Sequence, residues 1–345
     1  MREYNNKRMI FVVGNSRSGT TMLGRMLGRN TLVHKFPELH LFGPCRPHGQ
    51  ELTPLTKEEC IAEFTWLLDV AERKLHAPRL PEQYREKAIQ LTTRYFKEGV
   101  DSWDMYQAFV FHAVEEIGKQ IPCEDLPGNV FKLEQILGKF PEARVIQMVR
   151  DPRDVLLSQK NRRNRRKMGA TYISTWEVLR FWANYHPLFI SRLWNNAVKA
   201  GLAVNDPRII TIKFEDLIRD GENTLRKICM HTGISFEPEM LAIPQVGSST
   251  RKDDPNKLGI DSSRSGAWER GGLTNAEVEV SEKINGRLIH QLGYPFSGKK
   301  GSFFARLLLS LQLPVKGVMA LLLNWNRTKG RWNYILNRFK NQRSK

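Results

Sequence analysis

A chain of 345 residues, 41% hydrophobic, 10% aromatic and 26% charged, is long enough for one large α/β domain or two small ones. That composition excludes a mainly disordered, collagen-like or polytopic membrane protein. The formal charge of +18 is unevenly spread: residues 299–345 hold 11 lysines and arginines and no acid, so the first 298 residues carry 43 − 36 = +7. Cys45, Cys60, Cys123 and Cys229 are scattered and form no C-x-x-C pair, which speaks for reduced thiols rather than a zinc site or a disulfide framework.

In chain order, Arg2, Lys7 and Arg8 precede only five apolar residues, Met9–Val13. That run is too short for a secretory core or an anchor helix, and the expected location is cytoplasmic. It has the pattern of a strand buried on both faces, ending at Gly14. Thr21–Arg29 read as a helix. Residues 56–121 are helical by periodicity, with Ile61, Phe64, Leu67, Leu68 and Ala71 in one stripe and Phe109, Ala113 and Ile117 in another. A second strand, Arg144–Val149, leads into Arg150-Asp-Pro-Arg-Asp154, where Asp151 can cap a helix and Pro152 can take its first position. A long helical stretch over 172–200, a strand over Arg208–Phe214, and helices near 222–232 and 274–292 complete the body, while 247–266 reads as a mobile loop. Strands alternating with helices predict an α/β fold, a P-loop-like parallel sheet flanked by helices. To it are added a helical insertion near 50–125 and a basic helical tail. The expected division is a domain over 1–295 and a tail over 296–345.

The segment from Gly14 to Thr21, Gly-Asn-Ser-Arg-Ser-Gly-Thr-Thr, joins a strand to a helix. Its glycines let the backbone wrap an anion at a helix N-terminus. The glycine spacing is that of a nucleotide-triphosphate loop, but Thr20 stands where that loop has lysine, and Arg17 supplies the fixed charge. The alternative is a tight turn with no ligand. At the end of the second strand, Arg150, then Ser158 and Arg162 in the following helix, offer a guanidinium fork and a hydroxyl suited to a phosphate monoester. Here the alternative is ordinary pairing of Arg150 with Asp154. Two anion sites on neighbouring strands suggest a nucleotide phosphorylated at both ends.

On these two motifs the chain resembles the sulfotransferases that use 3′-phosphoadenosine 5′-phosphosulfate (PAPS). It is nearest the branch that includes bacterial, tyrosylprotein and carbohydrate enzymes, and the likeness runs roughly from residue 9 to 294. The resemblance implies that Arg17, Ser18, Gly19, Thr20 and Thr21 bind the 5′-phosphosulfate. It likewise implies that Arg150 and Ser158 bind the 3′-phosphate, with Arg162 as a further phosphate ligand. Arg17 would neutralise the leaving group. Glu38, in a short apolar segment after the first helix, is the expected base, because a glutamate at this distance from the loop arginine acts so in the tyrosylprotein enzymes. Its alternative is a loop carboxylate paired with Lys35 or Arg46. His40 is the rival base, sharing a face with Glu38 on an alternating segment.

Elsewhere the likeness thins. Lys132 stands where the family often has a lysine that carries sulfate charge, but Leu133 and Glu134 replace the residues that usually follow. Phe214, in Lys213-Phe-Glu-Asp-Leu217, packs either on adenine or in the core. Arg264, Trp268 and Arg270 fall in a segment resembling the family's flexible nucleotide-covering loop. Lys160–Lys167 place six cations in eight residues; they form a solvated face or a landing strip for an acidic glycan or lipid acceptor. Nucleic acid is disfavoured for want of stacking aromatics. In the tail, Arg306, Pro314 and Lys316 interrupt the apolar run 303–323 and speak against a spanning helix. Trp332, Ile335, Leu336 and Phe339 form an amphipathic stripe, suited either to the inner face of an anionic membrane or to packing on the domain or a dimer partner. The sum is sulfuryl transfer from PAPS to a hydroxyl, or an amine, releasing adenosine 3′,5′-bisphosphate with no metal implied. The rivals are an ATP-dependent phosphotransferase and a non-catalytic membrane- or polyanion-binding protein.

Overall fold

The computed structural model describes residues 4, 6–42, 45–47, 49–73, 78–168, 170, 173–247 and 252–328. Five parallel strands form the central sheet: β1 (Ile10–Gly14), β2 (Val33–Lys35), β3 (Ile121–Glu124), β4 (Arg144–Val149) and β5 (Ile209–Lys213), in the order β2-β3-β1-β4-β5. Alternation along β1 explains its double burial. Phe11 and Val13 enter the core on one face, and Ile10 and Val12 the core on the other. The chain leaves β1 towards β2 and β3 on one side, then crosses to β4 and β5 on the other. The gap beyond the carboxyl ends of β1 and β4 is therefore the topological switch point, where open α/β sheets form ligand crevices. The two strands lie in register from Ile10 beside Arg144 to Gly14 beside Met148.

The expected α/β class holds. Two of the five strands escaped the sequence reading, because β2 and β3 are only 3 and 4 residues long and β2 lacks an apolar run. After α1 (Thr20–Leu27), the insertion consists of α2 (Lys57–Arg73), α3 (Pro81–Tyr95) and α4 (Ser102–Glu116). Its apolar side joins Phe11, Val13 and Val145 in one core. Ile117, expected in the second stripe, lies past the end of α4 and is exposed.

Following α5 (Leu133–Lys139), β4 turns into α6 (Pro152–Lys160) as the sequence predicts, with the Asp151 carboxylate accepting from the Arg153 backbone N–H at 2.8 Å and Pro152 in the first turn. The single helix expected over 172–200 is two, α7 (Thr175–Asn184) and α8 (Pro187–Ala203). Pro187 forces His186 into an extended conformation (φ −144°, ψ 134°), and the His186 imidazole caps α8 through the Leu188 N–H. The helices α9 (Phe214–Arg219), α10 (Gly221–Thr232) and α11 (Asn275–Gln291) complete the body. The expected loop over 247–266 is partly ordered: β6 (Pro244–Gln245) pairs antiparallel with β7 (Asp254–Leu258).

The apolar run 303–323 is not broken by its polar residues. It forms one helix, α12 (Phe303–Thr328), which passes through Pro314. Its interrupting cations find partners on the body, Lys316 on the Tyr185 carbonyl at 2.9 Å and Arg306 near Glu279 at 3.8 Å. The amphipathic stripe expected from Trp332 to Phe339 lies outside the described residues.

Candidate active site

Gly14, at the end of β1, has φ +145°, and a Cβ there would stand 2.3 Å from the Met148 carbonyl oxygen on β4. The loop then passes through Arg17 at φ 75°, a left-handed conformation unusual for a side-chain-bearing residue. Gly19 at φ +93° opens α1, and a Cβ on it would lie 2.4 Å from the Phe214 ring. Glycine at these two points is what allows the loop to fold tightly over the sheet edge. Phe214 is only 2% exposed and supports the loop from below.

Above this floor lies a cleft of about 470 Å³. Thr20 and Thr21 line it beside the N-terminal N–H groups of α1, and Arg17, Glu38, Arg150, Ser158, Arg162, Phe214 and Arg264 line it too. The two sequence motifs are physically joined there. The Arg17 Nε donates to the Ser158 hydroxyl at 3.0 Å, and the Arg150 Nη1 donates to the Arg17 carbonyl at 3.2 Å. Arg150 also donates to the Arg264 carbonyl at 2.6 Å and stacks over Phe214 at 4.4 Å. Its Nε is buried without a hydrogen-bond partner among the described residues. The Asp154 pairing is long, at 3.6 Å, because that carboxylate accepts instead from the Gly266 and Trp268 N–H groups, each at 2.9 Å.

Arg17 bears the cost of this crowding. Burial first, then Arg162, Arg165, Arg150 and Arg264, push its pKa down to about 9. It stays protonated at neutral pH but is poised to gain from an anion. Burial also lowers Arg162, which lies over Phe181 at 4.2 Å. The sequence reading did not single out Arg25, one turn along α1 from Thr21, nor the hairpin β6–β7. Arg25 donates to the Val246 carbonyl at 3.2 Å and Arg17 to the Gly247 carbonyl at 3.0 Å, so the hairpin's start forms the far wall. An i to i+4 step from Thr21 was the available signal for Arg25; the hairpin wall had none. Of the basic run, Arg165 also turns into the cleft, held to Asp253 at 3.3 Å, and Lys160 pairs with Glu277 at 2.7 Å. That run is therefore not simply a solvated face.

Glu38 is at the rim and bonds to the His40 Nε2 at 2.8 Å. The alternative pairings do not form: Lys35 takes Asp125 at 3.0 Å, and Arg46 takes Glu59 at 2.7 Å. Five predicted residues do not line the cleft. Ser18 is fully buried, its side chain turned into the protein. His40 reaches the cleft only through Glu38. Lys132 is drawn away by an ion pair with the buried Glu51 and sits over the Phe42 ring. Trp268, 5% exposed, is a core residue packed with Leu157 and Val278. Its ring is covered by Arg153 at 4.0 Å, and Arg153 in turn bridges Asp151 and Glu282. Arg270 is exposed and folds back onto the carbonyls of Ser263 and Ser265.

A parallel sheet whose glycine-turned loop and the arginine after β4 meet in one cationic cleft defines an α/β protein of P-loop-like build with that cleft at the switch point. A family profile described as "Sulfotransferase family" matches residues 9–238, more than half of the chain, and the protein belongs to that family. Among relatives, an uncharacterized protein of Aquifex aeolicus (strain VF5) is 27% identical over 157 residues, 46% of this chain and 17% of its own length. Sulfotransferase 2A1 of Macaca fascicularis is 25% identical over 198 residues, 49% of this chain and 64% of its own. The match thus spans less than two-thirds of either curated relative. Among solved structures, the sulfotransferase domain from the Synechococcus PCC 7002 olefin synthase is 24% identical, covering 84% of this chain and 96% of its own, with a TM-score of 0.48.

Proposed function

We propose that the protein transfers a sulfuryl group from PAPS to the hydroxyl of an acceptor. The observation that carries this is the single cleft in which Arg17, Ser158 and Arg150 are linked and Glu38 stands at the rim. The residues fit the nucleotide by charge. Six arginines (17, 25, 150, 162, 165 and 264) and three acids (Glu38, Asp253 and Asp261) line the described cleft, an excess of 6 − 3 = +3. A phosphosulfate and a phosphate monoester together bring about −4. The nucleotide alone therefore offsets the excess, leaving no surplus cation among the described lining residues to demand an acidic acceptor.

In this reading Arg150, Ser158 and Arg162 hold the 3′-phosphate, Ser158 also accepting from Arg17 at 3.0 Å, and the loop residues Gly19, Thr20 and Thr21 hold the 5′ end through backbone N–H groups and hydroxyls. PAPS, when bound, supplies the sulfuryl group, which passes to the acceptor oxygen and leaves adenosine 3′,5′-bisphosphate. Glu38 takes the acceptor proton, and His40, bonded to it at 2.8 Å, orients the carboxylate. Arg17 stabilises the charge that grows on the departing 5′-phosphate. The test is incubation with ³⁵S-labelled PAPS and a cell extract split into lipid, glycan, protein and small-molecule fractions. Label retained in one fraction is expected; no transfer to any, with nucleotide binding intact, overturns the enzymatic reading.

A further inference from the structure

The helix α12 is attached to the body along one side only. The His186 Nε2 meets the Leu309 carbonyl at 3.0 Å, Lys316 donates to the Tyr185 carbonyl at 2.9 Å, and Asn324 donates to the Asn184 side chain at 2.9 Å. The opposite side is apolar and open. Phe304, Leu308, Leu311, Val315, Val318 and Leu322 follow one another in steps of four and three, and each is between 57% and 79% exposed. The next such step reaches Trp325, itself 54% exposed. This stripe is about 30 Å long, beyond what a soluble monomer ordinarily leaves in water.

Charge decides between its possible occupants. Steps of four and three also suit a coiled-coil seam, whose partner choice is ordinarily set by flanking charges of both signs. Residues 299–345 carry 11 cations and no acid, nine of them outside 303–325, so a second copy laid on the stripe would meet like charge at both of its ends. An anionic lipid surface is attracted by the same charge. The helix is also long and apolar enough to cross a bilayer. Crossing, however, would strip α12 from α7 and take Lys316, now 6% exposed against Tyr185 and Trp182, into hydrocarbon. Lying flat buries only the side already free.

We propose that α12 rests in the plane of an anionic membrane surface, its apolar stripe at the headgroup boundary and its docked side carrying the catalytic body. This inference does not depend on the sulfuryl-transfer reading. Full-length protein is mixed with vesicles of phosphatidylcholine, or of phosphatidylcholine with about one-third phosphatidylglycerol, and floated through a density gradient. It is expected to float with the anionic vesicles, to bind less in about 1 M salt, and to be released by alkaline carbonate. The variant L308S/L311S/L322S changes only exposed side chains. Its vesicle partition coefficient is expected to fall on the order of 100-fold, with the melting temperature unchanged. Four results overturn the proposal. They are wild-type protein that stays in the soluble fraction, a triple variant that floats like wild type, resistance to carbonate (a spanning helix), and a lipid-free dimer that the triple variant splits into monomers (a second copy).

Discussion

Truncating Arg150 to alanine separates a ligand-binding arginine from a structural one. The side chain does both kinds of work: it donates to the Arg17 and Arg264 carbonyls at 3.2 and 2.6 Å, and it lines the cleft. A hydrogen bond to a charged group is worth about 1.5–3 kcal/mol, or about 10- to 150-fold in Kd. Loss of the two carbonyl contacts loosens the cleft for every ligand. Loss of the grip on a 3′-phosphate weakens only a ligand that has one. Calorimetric titration of adenosine 3′,5′-bisphosphate and adenosine 5′-phosphate, at constant ionic strength, therefore isolates the second effect as a ratio. The wild-type preference for the bisphosphate is expected to shrink by about 10- to 150-fold in Arg150→Ala. Arg150→Lys should fall between, since lysine keeps the charge but loses the fork and the stacking on Phe214. If both ligands weaken by the same factor, or if the ratio moves by less than about threefold, the assignment of Arg150 to the 3′-phosphate fails.

Three further outcomes are expected. Glu38→Gln should lower transfer by about 10²- to 10⁴-fold while adenosine 3′,5′-bisphosphate binding holds, and His40→Ala should cost less, since it acts through Glu38; the reverse ranking in single-turnover rates makes His40 the base. Gly19→Ala puts a Cβ 2.4 Å from the Phe214 ring at φ +93°, a loss of about 1–3 kcal/mol in urea denaturation; a neutral effect removes the argument for the loop's shape. Burial pushes the Glu124 carboxyl up to about 7 from an ordinary value of 4.5. The folded state therefore binds more protons than the unfolded one between those values, and stability from this group is lost as pH rises through that window. The melting temperature of Glu124→Gln relative to wild type is expected to climb between about pH 4.5 and pH 7, and a flat difference there contradicts the shift.

Local pattern carried the parts of this protein that depend on short stretches of chain. The apolar run before Gly14 announced a strand buried on both faces, and Asp151-Pro152 announced the start of α6. The two anion motifs could be read because each needs particular residues at fixed spacing beside a helix start. What local pattern cannot carry is direction and company. Lys132 and Trp268 had family positions in their favour, but a buried glutamate from the insertion holds the first and a stacked arginine from α6 covers the second. The β6–β7 wall was invisible, and Arg25 was marked only by its i+4 step from Thr21, because their meeting joins segments more than 200 residues apart in sequence. The tail divides in the same way. Its charge is a property of the chain, but only packing decided that Lys316 would be satisfied on the body and that a continuous helix would keep one apolar side open to water. The longer helices and the central strands follow largely from patterns among neighbours in sequence, whereas the short strands β2 and β3 and the cleft depend on which faces the sheet order turns towards one another.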